Sequence, residues 1–103
     1  MTFDDLDFEL IPSPAAGFEM FGNLPNGLKA VHYFDNGYGV SVVRTAGTYG
    51  WEQGLFEVAI LKKRGNQWEI CYDTPIANDV IGFCSPEKIN IILKQVETLY
   101  GTP

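Results

Sequence analysis

The chain is poor in the residues that do chemistry. It holds one histidine, His32, and two cysteines, Cys71 and Cys84. A metal centre wants at least three ligands at a recognisable spacing, and one histidine with two cysteines that have twelve residues between them matches no finger or ribbon. Asp73 and Asp79 lack the acidic loop and closing glutamate of a calcium site. No metal and no cofactor are expected. Two cysteines are too few for a disulfide-stapled domain. No apolar run approaches the roughly 20 residues that cross a bilayer. The segment MTFDDLDFEL is acidic and lacks the basic n-region of a signal peptide. The expectation is a soluble, cytoplasmic protein.

Basic charge is missing unevenly. Residues 1–28 contain Asp4, Asp5, Asp7, Glu9 and Glu19 and no lysine or arginine. Residues 29–103 carry seven basic and eight acidic side chains, so nearly all of the net charge of −6 sits in the first 28 residues. This balance makes a poor partner for phosphate backbones. It fits a basic protein surface, where the segment can stand in for nucleic acid. The plainer reading, a solvated segment that aids solubility, is favoured over a binding role.

What is present is a core. At 103 residues, 46% hydrophobic and 14% aromatic, the chain reads as one folded domain, residues 1–103. Phe3, Leu6, Phe8, Leu10 and Ile11 suit a short helix or an extended arm, which Pro12 and Pro14 end. Phe18, Met20, Phe21 and Leu24 imply that the following stretch lies against the body. Lys29–Phe34 is a predicted strand. Asp35-Asn36-Gly37 turns it, because Asn and Gly tolerate the positive φ of tight turns. Tyr38–Arg44 returns, with Tyr38, Val40 and Val42 on one face. Leu55–Lys63 places Phe56, Val58 and Ile60 on one face and Leu55, Glu57, Ala59 and Leu61 on the other. Gly65-Asn66 turns it into Trp68–Tyr72, and Lys62, Lys63 and Arg64 crowd the tip, where charge discourages edge pairing. Residues 78–83 suit a short extended piece or a helical turn.

Ser85-Pro86-Glu87 opens a helix over 85–100, with Ser as N-cap, Pro at the first helical position and Glu facing the positive end of the dipole. Ile89, Ile92, Leu93, Val96, Leu99 and Tyr100 form one apolar stripe, and Gly101 ends it. The predicted fold class is α+β: an antiparallel meander of four or more strands within residues 29–83, with the C-terminal helix packed on one face. The other face, with Val43, Leu55, Ala59, Leu61 and Cys71, needs a cover: the N-terminal segment, which is favoured because its own Phe and Leu residues need a home, or a second subunit.

A Cys–His–Asp set would join Cys71 or Cys84 to His32 and Asp73 or Asp79, and would need a low-pKa thiolate held against a base. The sequence supplies the residue types and nothing that gathers them, so they are read as structural and the protein as no enzyme. Cys71 reads as a small buried hydrophobe. Asp73 reads as a turn cap through Thr74, and Asp79 as support for a turn at Asn78. Gly37-Tyr38-Gly39 lacks the third glycine and the helix of a nucleotide loop; Gly39 reads as room for a neighbouring ring. Tyr33, Tyr38, Trp68 and Tyr72 lack the basic surround of single-strand RNA binders and read as core aromatics.

The surface best suited to work is the loop 45–54, TAGTYGWEQG. Its glycines make it deformable, and Tyr49 and Trp51 offer the amphipathic contact area that dominates interface hot spots. The competing reading has Trp51 fold back to close the end of the core. The candidate protein-binding residues are Tyr49, Trp51 and Glu52 in the loop, with Asp4, Asp5, Asp7 and Glu9 in the acidic segment.

The pattern Asn36-Gly37-Tyr38-Gly39, Ser41-Val42-Val43-Arg44, Tyr49-Gly50, Gly54-Leu55, Glu57, Ala59, Tyr72-Asp73-Thr74-Pro75-Ile76 and Asp79-Val80-Ile81-Gly82 resembles a set of small bacteriophage and prophage proteins. It covers roughly residues 33–83, with its matches running from Asn36 to Gly82; the N-terminal segment and Phe83-Cys84 are not part of the pattern. The resemblance implies an accessory protein in the host cytoplasm, and it carries no catalytic residues. The partner it implies is a host protein, with no direct contact to nucleic acid or membrane. That includes a nucleic-acid-binding defence effector of the CRISPR kind, inhibited by an acidic surface that mimics nucleic acid. The alternative is a structural or assembly component, homodimeric and without a host target.

Overall fold

Period-two alternation builds the sheet. The computed structural model describes residues 1–11, 27–45, 48–77 and 79–99. Its strands are β1 (Glu9–Ile11), β2 (Gly27–Tyr33), β3 (Tyr38–Arg44), β4 (Phe56–Arg64), β5 (Gln67–Ile70) and β6 (Ile81–Cys84), followed by helix α1 (Pro86–Glu97). All pairings are antiparallel, in the order β1-β2-β3-β4-β5, with β6 sharing β4 beside β5. The expected antiparallel sheet with a C-terminal helix is therefore what forms, with six strands among the described residues. The segment 1–11 supplies both readings left open for it, a 3₁₀ turn at Phe3–Asp5 and then β1. Residues 81–84 take the extended form.

Ala30, Val40, Val42, Phe56, Val58 and Ile60 point to one face and are buried under Ile89, Ile92, Leu93 and Val96 of α1. Burying each such aliphatic side chain contributes about 1.5–3 kcal/mol. Ser85 caps the helix by accepting the Lys88 N–H at 3.2 Å. The helix ends at Glu97, short of the expected 100. The Thr98 hydroxyl turns back onto the carbonyls of Lys94 and Gln95 at 3.1 and 3.0 Å, competing for the groups that another turn would use. Tyr100 and Gly101 lie outside the described residues.

Three expectations are corrected. Cys71 belongs to the helix-side core. The two-residue turn pairs Arg64 with Gln67 and Leu61 with Ile70, which sets Cys71 opposite Ile60, whose carbonyl accepts the Cys71 N–H at 2.7 Å; turn length fixes register, and register fixes face. Residues 1–11 do not cover the far face. Leu6, Phe3 and Phe8 pack with Phe56 on the helix side, and the Phe3 N–H donates to Asn90 Oδ1 of α1 at 2.6 Å. Phe18, Met20, Phe21 and Leu24 lie outside the described residues. Of the four sheet aromatics only Tyr38 is in the core; Tyr33 and Tyr72 are exposed and Trp68 is half-buried. Tyr33 packs tilted against Trp68, ring centroids 4.2 Å apart, across the far face, and Gly39 makes room for the Tyr33 ring as expected. Lys62, Lys63 and Arg64 run into the hairpin turn as expected, with Arg64 paired to Gln67 across it and meeting Glu69 at 3.2 Å.

Candidate functional site

The described residues of the loop before β4 are hydrogen-bonded among themselves and to β4 and β6. Thr48 accepts the Thr45 N–H at 3.1 Å and donates to the Thr45 carbonyl at 2.9 Å. Trp51–Gln53 form one 3₁₀ turn between Gly50 and Gly54, both left-handed. The Gly50 carbonyl accepts from Gln53 and Leu55 at 3.0 and 2.9 Å. Tyr49 is held on both sides of its backbone: its N–H donates to Glu57 Oε2 at 3.2 Å and its carbonyl accepts the Phe83 N–H at 3.3 Å. Glycine's positive φ serves one turn at each end of this 3₁₀ segment.

Across from this loop, β6 carries a bulge. Phe56 pairs with Cys84 and Val58 with Ile81, so Gly82 and Phe83 together face the single residue Glu57. Bulges bend a strand and re-aim its side chains. Here the extra residue is Phe83, at φ 56°, the one non-glycine residue at positive φ among those described. A bulky residue held there carries about 1–3 kcal/mol of strain. The strain holds a ring in solvent: Phe83 is 55% exposed and Tyr49 64%. Their rings stack at 6.2 Å. Gly82 lets them close, since a Cβ there would fall 2.7 Å from Tyr49 Cβ.

Thr48, Tyr49, Gly50, Trp51, Glu52, Gln53 and Phe83 line an open cavity of about 310 Å³. The structure thus brings together Tyr49, Trp51 and Glu52 as one surface and adds Phe83. Trp51 is half-buried and does not close the core, whose packed neighbours are other residues. Sequence reasoning missed Phe83, because no local pattern marks a phenylalanine that a bulge turns outward. Asp4, Asp5, Asp7 and Glu9 are all exposed and line no part of this cavity. Asp5 is already engaged, accepting the Thr2 N–H at 2.8 Å, and Glu9 sits opposite Lys29.

The Cys–His–Asp set is only partly gathered. Cys71 donates its thiol to Asp73 Oδ1 at 2.8 Å, while His32 packs edge-on against Phe34 at 4.6 Å. The pairings His32 to Val40, Val40 to Ile60 and Ile60 to Cys71 put three strand spacings between them, roughly 14 Å. Asp73 is thereby not the turn cap; Thr74 is, with its hydroxyl on the Ala77 N–H and carbonyl at 3.3 and 3.1 Å. Asp79 Oδ1 accepts the Val80 N–H at 2.7 Å, and Asn78 lies outside the described residues. Among the described residues no three His, Cys, Asp or Glu side chains converge as metal ligands, and no helix is long and apolar enough to cross a membrane.

Burial, then the hydrogen bond to Asp73, pushes the Cys71 thiol above its ordinary 9.0; burial raises Cys84 likewise. The bond to Cys71 in turn lowers Asp73. Raised folded-state values mean that the native state keeps its thiol protons after the unfolded chain has lost them. Both cysteines therefore stabilise the fold fully below about pH 9, and that contribution falls as pH rises through the folded-state values. In urea melts the stability of the wild type falls more steeply above pH 9 than that of a Cys71→Ala/Cys84→Ala variant. A disulfide-exchange reagent at pH 8 labels neither thiol of the native protein. Parallel alkaline slopes would remove the assignment.

No protein-family model, curated protein or solved structure matches the chain.

Proposed function

We propose that this chain is a non-enzymatic phage accessory protein that binds and modulates a host protein in the host cytoplasm. One observation carries the reading: the bulge that spends backbone strain to hold Phe83 in solvent beside Tyr49. A fold gains nothing from a strained, half-exposed ring, whereas a binding surface does. The resemblance to small phage proteins supports a host target. The exposed carboxylates of Asp4, Asp7 and Glu9 support one that binds nucleic acid, with the acidic segment mimicking it and the protein acting as an anti-CRISPR-like inhibitor.

The far face of the sheet favours a second reading, a homodimeric assembly component. Val31, Tyr33 and Ile70 are exposed there beside Leu61 and Trp68. Capture from host lysate, run with light scattering on the purified protein, separates the two. The first reading expects a monomer that retains one host protein, loses it on Tyr49→Ala/Phe83→Ala, and keeps it on Tyr33→Ala. Asp4→Asn/Asp7→Asn/Glu9→Gln then weakens capture, and the weakening shrinks with added salt. A dimer broken by Tyr33→Ala, with nothing captured, overturns it in favour of the second.

A further inference from the structure

We infer that the Tyr49–Trp51–Phe83 cavity receives an arginine side chain of the bound partner. The inference rests on the binding role proposed above and names the chemistry at its centre. Three aromatic side chains and one carboxylate, Glu52, line the cavity, and no lysine or arginine is among the residues lining it. A second carboxylate, Glu57, lies just behind, fixed on the Tyr49 N–H at 3.2 Å. Arg44, five residues before Tyr49, is engaged elsewhere. Its guanidinium lies over the Phe56 ring at 5.3 Å, with Nη1 on the Gly54 carbonyl at 3.4 Å.

Aromatic faces attract cations through the ring quadrupole. A carboxylate at the rim of the same cavity selects a cation over a neutral guest. Tyr49 and Phe83 stack near-parallel, with 28° between their planes, and each ring offers a planar face. A planar guanidinium stacks on such a surface and still offers N–H groups sideways to a carboxylate, which a round ammonium does less well. The volume of about 310 Å³ admits one long side chain rather than a helix or a strand. The bulge at Gly82-Phe83 fixes one wall and the 3₁₀ turn the other, so little ordering entropy is lost when the guest enters.

The probe is N-acetyl-arginine methylamide, titrated into the full chain and followed by amide and indole NMR. Its neutral isostere, the citrulline derivative, is the comparison. Saturable shifts of the Trp51 indole N–H and of the Tyr49, Glu52 and Phe83 amides are expected, with citrulline binding roughly fivefold weaker or worse. Tyr49→Leu keeps the bulk and removes the π face, and Glu52→Gln removes the charge. Each weakens arginine by about threefold or more and closes the gap to citrulline, while an otherwise unchanged spectrum shows the fold intact. Equal response to the two probes overturns the inference, as do arginine shifts confined to Asp4–Glu9. A captured host protein that is lost on Tyr49→Ala/Phe83→Ala but kept on Glu52→Gln, with no arginine response in the cavity, leaves the binding role standing and removes only this assignment.

Discussion

Gly50→Ala destabilises the protein by roughly 2–5 kcal/mol and displaces the Tyr49–Phe83 aromatic surface. Two costs add. At φ 91° any residue with a Cβ is strained, worth about 1–2 kcal/mol. The new Cβ would also lie 2.9 Å from Leu55 Cβ and 3.0 Å from Phe83 Cα. The second neighbour is backbone, so relief requires moving β6 itself, at about 1–3 kcal/mol. Gly54→Ala is the control. Its φ of 74° is equally left-handed, but the nearest atom is Arg44 Nη1 at 3.7 Å, so only the strain is incurred. Urea melts of both variants expose the difference: Gly50→Ala should lose more stability than Gly54→Ala and should also shift the Tyr49 and Phe83 resonances. Equal losses would mean that the loop and β6 do not brace one another.

Asn36→Asp costs about 3 kcal/mol at neutral pH, from a change of one atom type. Asn36 lies in the turn between β2 and β3, where its Oδ1 accepts the Tyr38 N–H at 3.0 Å. Its Nδ2 reaches across to the end of α1 and donates to the carbonyls of Val96, Leu99 and Glu97 at 2.8, 2.8 and 3.2 Å. The last carbonyls of a helix have no partners of their own. Here one side chain from the sheet supplies them. A carboxyl in its place loses those donors and sets negative charge against the negative end of the helix dipole, about 1 kcal/mol for each interaction lost or reversed. Because protonation restores a donor, the folded state raises the introduced group's pKa. The stability is then fully present below the unfolded value and is lost as pH rises through the folded one. Melts at pH 3 and pH 7 therefore bracket the effect: near wild type at the first, about 3 kcal/mol lower at the second. A pH-independent loss would assign Asn36 to the turn alone.

Those two residues mark the boundary of what local patterns reveal. Asn36-Gly37 reads correctly as a turn, since the backbone preference is local. Nothing near Asn36 in sequence announces a bond to a helix sixty residues away. Cys71 shows the same limit on a smaller scale: its burial is legible from alternation, whereas the face it occupies depends on the turn length that sets the register. Tyr49, Trp51 and Glu52 stand out because large aromatics among glycines are conspicuous. Phe83 does not, because its exposure comes from a bulge, which is a mismatch between two strands and belongs to neither alone.

The sequence by itself determined the class of this protein. Alternating apolar residues fix strands, a three-and-four spacing fixes the helix, and each needs the other to bury its face; these are short-range patterns that hydrophobic burial enforces. The charge asymmetry of residues 1–28 and the shortage of histidine and cysteine are likewise complete in the sequence. Only the tertiary structure decided which way residues 1–11 fold, which face takes Cys71, how α1 is closed, and that a strained Phe83 completes the aromatic cavity. Each of these is set by register and by contacts between segments far apart in the chain, whose free energy exists only once the sheet has formed.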